Sequence, residues 1–174
     1  MRHYLLAVTV LVPIACSSPR PLAEPQPVRV GHPRDDGQQM HGAIIPSSGG
    51  TPLVFCSSPG LSVTLKVDSV SVGATRLAMG TGEIAVGASN EGTHADVDEV
   101  TFFLDGSGRT FVGADTVDVR PGLVLYVPQG VRHGFRNTGA VPLRFAWVIV
   151  PQGLAERFRT RGVAPGTACP PARP

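Results

Sequence analysis

The sequence predicts an all-β domain, a sandwich or small barrel, on three observations. Glycine (21 residues) and proline (17) are both abundant, and that combination gives frequent turns and few long helices. Between residues 61 and 150 short segments rich in apolar residues follow one another, separated by regularly placed turn residues. A single segment has the look of a helix, and it is short.

Taken in order, the chain opens with a short basic start, Arg2 and His3, and then the apolar run YLLAVTVLVPIA. The run is too short to span a bilayer as a helix and has the length of an export signal. It ends in Ala15-Cys16, which resembles a bacterial lipobox, with Pro13 where leucine is usual. That resemblance implies cleavage before Cys16, lipidation of Cys16, and a membrane-anchored protein facing the periplasm or the cell exterior; simple secretion is the alternative. Residues 1–16 are thus expected as the signal. Residues 17–52 carry seven prolines and end near SSGG at 47–50, which predicts an extended tether. The folded domain is expected over 53–163 and an irregular Pro-rich tail over 164–174.

Within the domain, LSVTLKVDSVSV (61–72) alternates, with Leu61, Val63, Leu65 and Val67 on one face. ATRLAMGTGEIAVGAS (74–89) holds two apolar stretches around Gly80 and Gly82. VTFFLDGSGRTFVG (100–113) is expected as a hairpin turning at DGSG. DTVDV (115–119) leads to the turn Arg120-Pro121-Gly122. GLVLYVP is apolar at successive positions and is expected to be covered on both faces. VPLRFAWVIV (141–150) is a further strand, and GLAERFRTRG (153–162) is the helix, ending at Gly162.

Hydrophobic residues make up 42% and charged residues 16%, enough apolar material for a core. The formal net charge is only +2 and no Lys/Arg run occurs, which argues against a nucleic-acid partner. Three cysteines minus a lipidated Cys16 leave Cys56 and Cys169. In an oxidising compartment such a pair is expected to form a disulfide.

Two segments carry chemistry. HADVDE (94–99) packs one histidine and three carboxylates into six residues. Alone it reads as a charged turn. GLVLYVPQGVRHGFRN (122–137) is a strand, a break at Pro128-Gln129-Gly130, and a resumed strand. Val131, His133 and Phe135 share one face of the second strand and the arginines take the other, so His133 points inward. By itself that describes a hydrogen-bonded core histidine.

The spacing Gly122-x5-Pro128-x-Gly130-x2-His133-x3-Asn137 resembles the second motif of the cupin family. Glu99, six residues, and Gly106 resemble the end of the first motif, with His94 at its second histidine. Gly92 stands at the first histidine, a departure from the pattern. The resemblance covers roughly residues 55–160. It implies a cupin-type β-barrel, or jelly roll, with a short C-terminal helix, and a divalent metal (Fe, Mn, Zn or Ni) held by His94, Glu99 and His133. In a second register Asp96 takes the place of the second histidine and is the alternative ligand. Thr101 and Phe103, two and four residues after Glu99, and Phe145 and Trp147 are expected to line the cavity or to pack in the core. The resemblance implies a metal-dependent, dioxygenase-like enzyme acting on a small organic substrate. The alternative is a non-catalytic envelope protein that binds a small molecule or sugar in a degenerate site. A homodimer through the apolar outer face of VTFFL is a further expectation.

Overall fold

The computed structural model describes residues 29–33 and 39–169. Cys16 and the rest of the signal segment lie outside the described residues. Within the stretch expected as a tether, strands β1 (Arg29–Pro33) and β2 (Gln39–Ala43) pair with each other antiparallel.

Ten further strands form two antiparallel sheets. They are β3 (Thr51–Val54), β4 (Leu61–Val67), β5 (Ala78–Ile84), β6 (Ser89–Thr93), β7 (Asp98–Asp105), β8 (Gly108–Val112), β9 (Asp115–Val119), β10 (Val124–Val127), β11 (Arg132–Asn137) and β12 (Leu143–Val150). One sheet has the order β10-β7-β12-β5-β4-β3 and the other β6-β11-β8-β9. Helix α1 (Gly153–Arg161) follows β12. This is the all-β jelly roll that the alternation of the strands predicts. Its core lies on the inward faces, where Leu65, Ile84, Phe103, Leu143 and Ile149 are essentially inaccessible.

The strand pairing corrects three expectations. VTFFL and RTFVG do not form a hairpin: β7 lies in the six-stranded sheet and β8 in the four-stranded one. Both edges of β7 are taken by β10 and β12, so the chain turns a corner at Gly106, whose φ is +83°. Strand β10 is not covered on both faces. It is an edge strand, and Val124 and Tyr126 on its outer face are more than half exposed, while Leu125 and Val127 are buried. The alternation of 61–72 does not continue as strand beyond Val67, because Asp68 turns back on its own backbone. Its Oδ1 accepts from the N–H groups of Val70 (3.1 Å) and Ser71 (2.7 Å), the local bonding by which aspartate competes with a ladder.

Two glycines of β5 shape the interior. A Cβ at Gly80 would lie 2.5 Å from Trp147 Cζ2, and one at Gly82 would lie 2.3 Å from Phe145 Cζ. Their lack of a side chain lets both β12 aromatics lie against the strand. Helix α1 is fastened over the same end of the barrel. Phe158 packs edge-on against Phe55 and Trp147, with ring centroids 5.5 and 5.4 Å away. Arg159 Nε donates to Asp68 Oδ2 at 2.8 Å. The Cys56–Cys169 disulfide is formed, with Cα atoms 5.5 Å apart.

Candidate metal centre

Three elements deliver the site. Along β7 the alternation buries Glu99, Thr101 and Phe103. Val127 pairs with Glu99 in the β10–β7 ladder, so the Pro128–Gly130 break falls directly beside the carboxylate. Beyond the break, β11 turns His133 inward opposite Gly92 of β6. His94 lies just past the end of β6, and its carbonyl accepts from the Gly130 N–H at 2.6 Å. The break thereby holds both histidine-bearing segments.

The three side chains converge. Glu99 Oε2 lies 3.3 Å from His94 Nε2 and 3.5 Å from His133 Nε2. One ligand atom from each residue falls within 4.8 Å of the others. Their partners orient them. Thr101 Oγ1 donates to Glu99 Oε1 at 2.7 Å, leaving Oε2 for the centre. His133 Nδ1 donates to the Val131 carbonyl at 3.1 Å, which turns Nε2 toward the centre. Two imidazole nitrogens and one carboxylate oxygen suit Fe(II), Mn(II), Zn(II) or Ni(II) and leave coordination positions open.

The electrostatics follow from burial and pairing. Burial alone pushes the Glu99 carboxyl up, but hydrogen bonds with His133, His94 and Thr101 and the charge of His133 hold it at about 2. Burial alone pushes His133 down, and the hydrogen bond and charge of Glu99 raise it above the ordinary imidazole value. The site is thus tuned to hold a positive charge beside Glu99.

Asp96, the alternative ligand, does not join the group. It is exposed, and its Oδ1 accepts from Arg157 Nη2 at 2.7 Å. Asp98 braces the Pro128–Gly130 break instead, accepting from the Gln129 N–H at 2.9 Å and from the Tyr126 hydroxyl at 3.2 Å. At Gly92 a Cβ would meet nothing within 4 Å, so the missing first-motif histidine leaves open space.

A cavity of about 350 Å³ opens from the three ligands. Its apolar wall includes Phe135, Phe145, Trp147, Ile149, Leu154 and Phe158, and its polar rim includes Ser57, Ser58, Asn90, Glu91 and Thr93. Of the four residues expected at the cavity, Phe145 and Trp147 line it. Thr101 and Phe103 are fully buried and do not, since Thr101 is held against Glu99 and Phe103 packs on Phe135 and Phe145. Sequence reasoning missed Arg157 and Arg161, which also line the cavity. The available signal was the i, i+3, i+4, i+7 stripe of Leu154, Arg157, Phe158 and Arg161 on α1.

Comparison with known proteins agrees with this architecture. Residues 70–149 match the cupin domain family model. No curated protein matches the chain at a significant level. Among solved structures, the cupin domain of Cnp3 from Schizosaccharomyces pombe is 17% identical with a TM-score of 0.59, covering 82% of this chain and 99% of that one. A predicted oxalate decarboxylase from Thermotoga maritima is 21% identical with a TM-score of 0.55, covering 62% and 98%. KdgF from Halomonas sp. is 13% identical with a TM-score of 0.52, covering 60% and 91%. At these identities the likeness is one of fold. The cupin-domain match over residues 70–149 and the shared jelly roll agree on the fold, and the folded region is a cupin-type barrel.

Proposed function

We propose that this barrel binds a divalent first-row metal through His94, Glu99 and His133 and uses it to bind and transform a small organic molecule. The observation that carries the reading is the convergence of Oε2 and two Nε2 atoms at the inner end of a cavity. A metal bound there would supply a Lewis acid, or an O₂- and substrate-binding centre if iron or manganese. The protein's own part is to orient the ligands through Thr101, Val131 and Gly130, and to enclose the substrate between the aromatic wall and α1. The reaction proposed is oxidative and dioxygenase-like.

A second reading is non-catalytic capture of a small molecule or sugar, favoured by Gly92, which removes one ligand from the family pattern. Elemental analysis of untagged protein, with His133→Ala as control, decides first whether the site is a metal centre. Stoichiometric iron or manganese, lost in the variant, supports the enzyme. No bound metal, together with an unchanged melting temperature on adding Fe(II), Mn(II), Zn(II) or Ni(II), rejects it.

We also propose that the protein is exported and anchored through lipidated Cys16. The Cys56–Cys169 disulfide supports export, since such bonds persist in oxidising compartments. Mass spectrometry of the membrane-fraction protein tests the anchor, and a Cys16 without lipid rejects it. The exposed apolar face of Val100, Phe102, Leu104, Val124 and Tyr126 is proposed as a homodimer surface. A strict monomer in sedimentation rejects that.

A further inference from the structure

Helix α1 presents a mixed stripe to the cavity: Leu154 and Phe158 are apolar, while Arg157 and Arg161 bring two guanidinium groups to the cavity beside its aromatic and aliphatic wall. The two arginines differ in how they are satisfied. Arg157 donates from Nη2 to Asp96 Oδ1 at 2.7 Å. Its Nε is buried and donates to no protein acceptor among the described residues. Arg161 lines the same cavity and takes part in none of the ion pairs among the described residues. The acidic group on the rim, Glu91, is already engaged by Arg132 at 2.7 Å.

A guanidinium on a cavity wall with no protein carboxylate against it, as at Arg161, can take an acceptor from a bound molecule. The acceptor that best suits a guanidinium is a carboxylate. Position decides the rest. α1 closes one side of the cavity, held there by Phe158 between Phe55 and Trp147, by Arg159 on Asp68, and by the nearby disulfide. The ligand group of His94, Glu99 and His133 occupies another part of the same cavity.

We propose that the cavity takes a small organic carboxylate with an apolar body. The Arg157 and Arg161 side chains, which both line the cavity, hold its carboxylate, the aromatic wall packs its body, and its remaining end reaches the three-residue centre. This substrate class rests on the metal-centre reading above, and it makes Arg157 and Arg161 specificity-determining residues.

The test uses benzoate and isovalerate against the neutral benzamide and isovaleramide, with inorganic phosphate as a third probe. Binding is measured by calorimetry on the full chain, both metal-stripped and Zn(II)-loaded. Each carboxylate is expected to bind roughly tenfold or more tightly than its amide in both forms, the difference a charge-assisted bond makes. Arg157→Gln and Arg161→Gln are each expected to abolish that preference. Arg161 is exposed, so its variant keeps the fold even if loss of the Asp96 pair lowers the melting temperature of Arg157→Gln. The inference is overturned if no carboxylate binds in the millimolar range or if the amides bind as well. It is also overturned if phosphate binds as tightly as the carboxylates, or if folded Arg161→Gln keeps the preference. Metal content is measured on the same samples. Metal binding without carboxylate preference sinks this inference alone, whereas carboxylate preference without metal binding sinks the metal reading alone.

Discussion

Glu99→Gln in metal-stripped protein removes the charge at the middle of the cluster with almost no change of shape. Glu99 is 6% exposed. Burial pushes its carboxyl up, but His133, His94 and Thr101 bring it from 4.5 to about 2. At about 1.4 kcal/mol per pH unit, the carboxylate contributes on the order of 3 kcal/mol to the folded state. A carboxyl depressed by folding contributes fully above its ordinary value near 4.5 and loses that contribution as pH falls toward 2. His133 behaves in the opposite sense. Raised above 6.5, it contributes fully below that value and loses its contribution as pH rises through its folded value. Both shifts describe one interaction seen from either partner, so it is counted once. The stability difference between wild type and Glu99→Gln is therefore largest between about pH 4.5 and 6.5 and shrinks on both sides. Urea denaturation of both proteins at about pH 3, 5.5 and 8, with metal removed by chelation, measures it. A difference that stays constant across the three pH values would refute the reasoning, because the pair would then not be the source of the stability.

Three further outcomes are expected. Zn(II) must displace the proton that Glu99 helps His133 retain, so affinity should rise by about tenfold per pH unit up to the folded value of His133 and then level off; a flat profile in competition with a chelator contradicts this. Gly92→His places an imidazole where a Cβ meets nothing within 4 Å and should tighten Zn(II) binding by at least roughly tenfold; unchanged affinity by calorimetry would mean position 92 does not face the metal. Replacing Cys56 and Cys169 together by serine removes a crosslink across a sequence separation of 113 and should cost on the order of 4–5 kcal/mol by the chain-entropy relation; a shift of the urea midpoint equivalent to less than about 1 kcal/mol would show that the unfolded chain is not what the crosslink restrains.

What was legible in the sequence, and what was not, divides along a physical line. Strand existence is written locally: the alternation over 61–67 and in 143–150 reappears as alternate burial. The break at Pro128–Gly130 is local too, since Gly130 sits at φ +79°. Pairing is not local. DGSG carries the same turn chemistry whether the next strand folds back or crosses to the other sheet, and the choice depends on β10 and β12 having taken both edges of β7. The second face of β10 was illegible for the same reason, because nothing in GLVLYVP states that the strand is a sheet edge. His94, Glu99 and His133 could be named because fixed spacing and strand period both turn them inward. Arg157 and Arg161 were legible only as members of a helical stripe, not as cavity residues, because the face that α1 turns to the cavity is set by contacts distant in sequence, Asp68 with Arg159 and Phe55 with Phe158.

On the proposed metal reading, glycine at position 92 and the two arginines of the helix belong together. The three candidate ligands are already oriented by protein groups: Glu99 by Thr101, His133 by the Val131 carbonyl, and the His94 backbone by Gly130. Such a centre needs little rearrangement to bind metal, so dropping the fourth ligand lowers affinity without dispersing the other three. The same loss clears space at Gly92, which lines the cavity, and frees a coordination position. A ligand filling that position would gain from a second anchor elsewhere in the cavity. Helix α1 offers one, since the Arg157 and Arg161 side chains line the same cavity. The combination predicts non-additive behaviour. In the Gly92→His protein the metal should bind more tightly and the carboxylate probes less tightly, whereas Arg161→Gln should weaken the probes and leave metal affinity as it was. If Gly92→His strengthened both, the open position and the arginine pair would not be serving the same ligand.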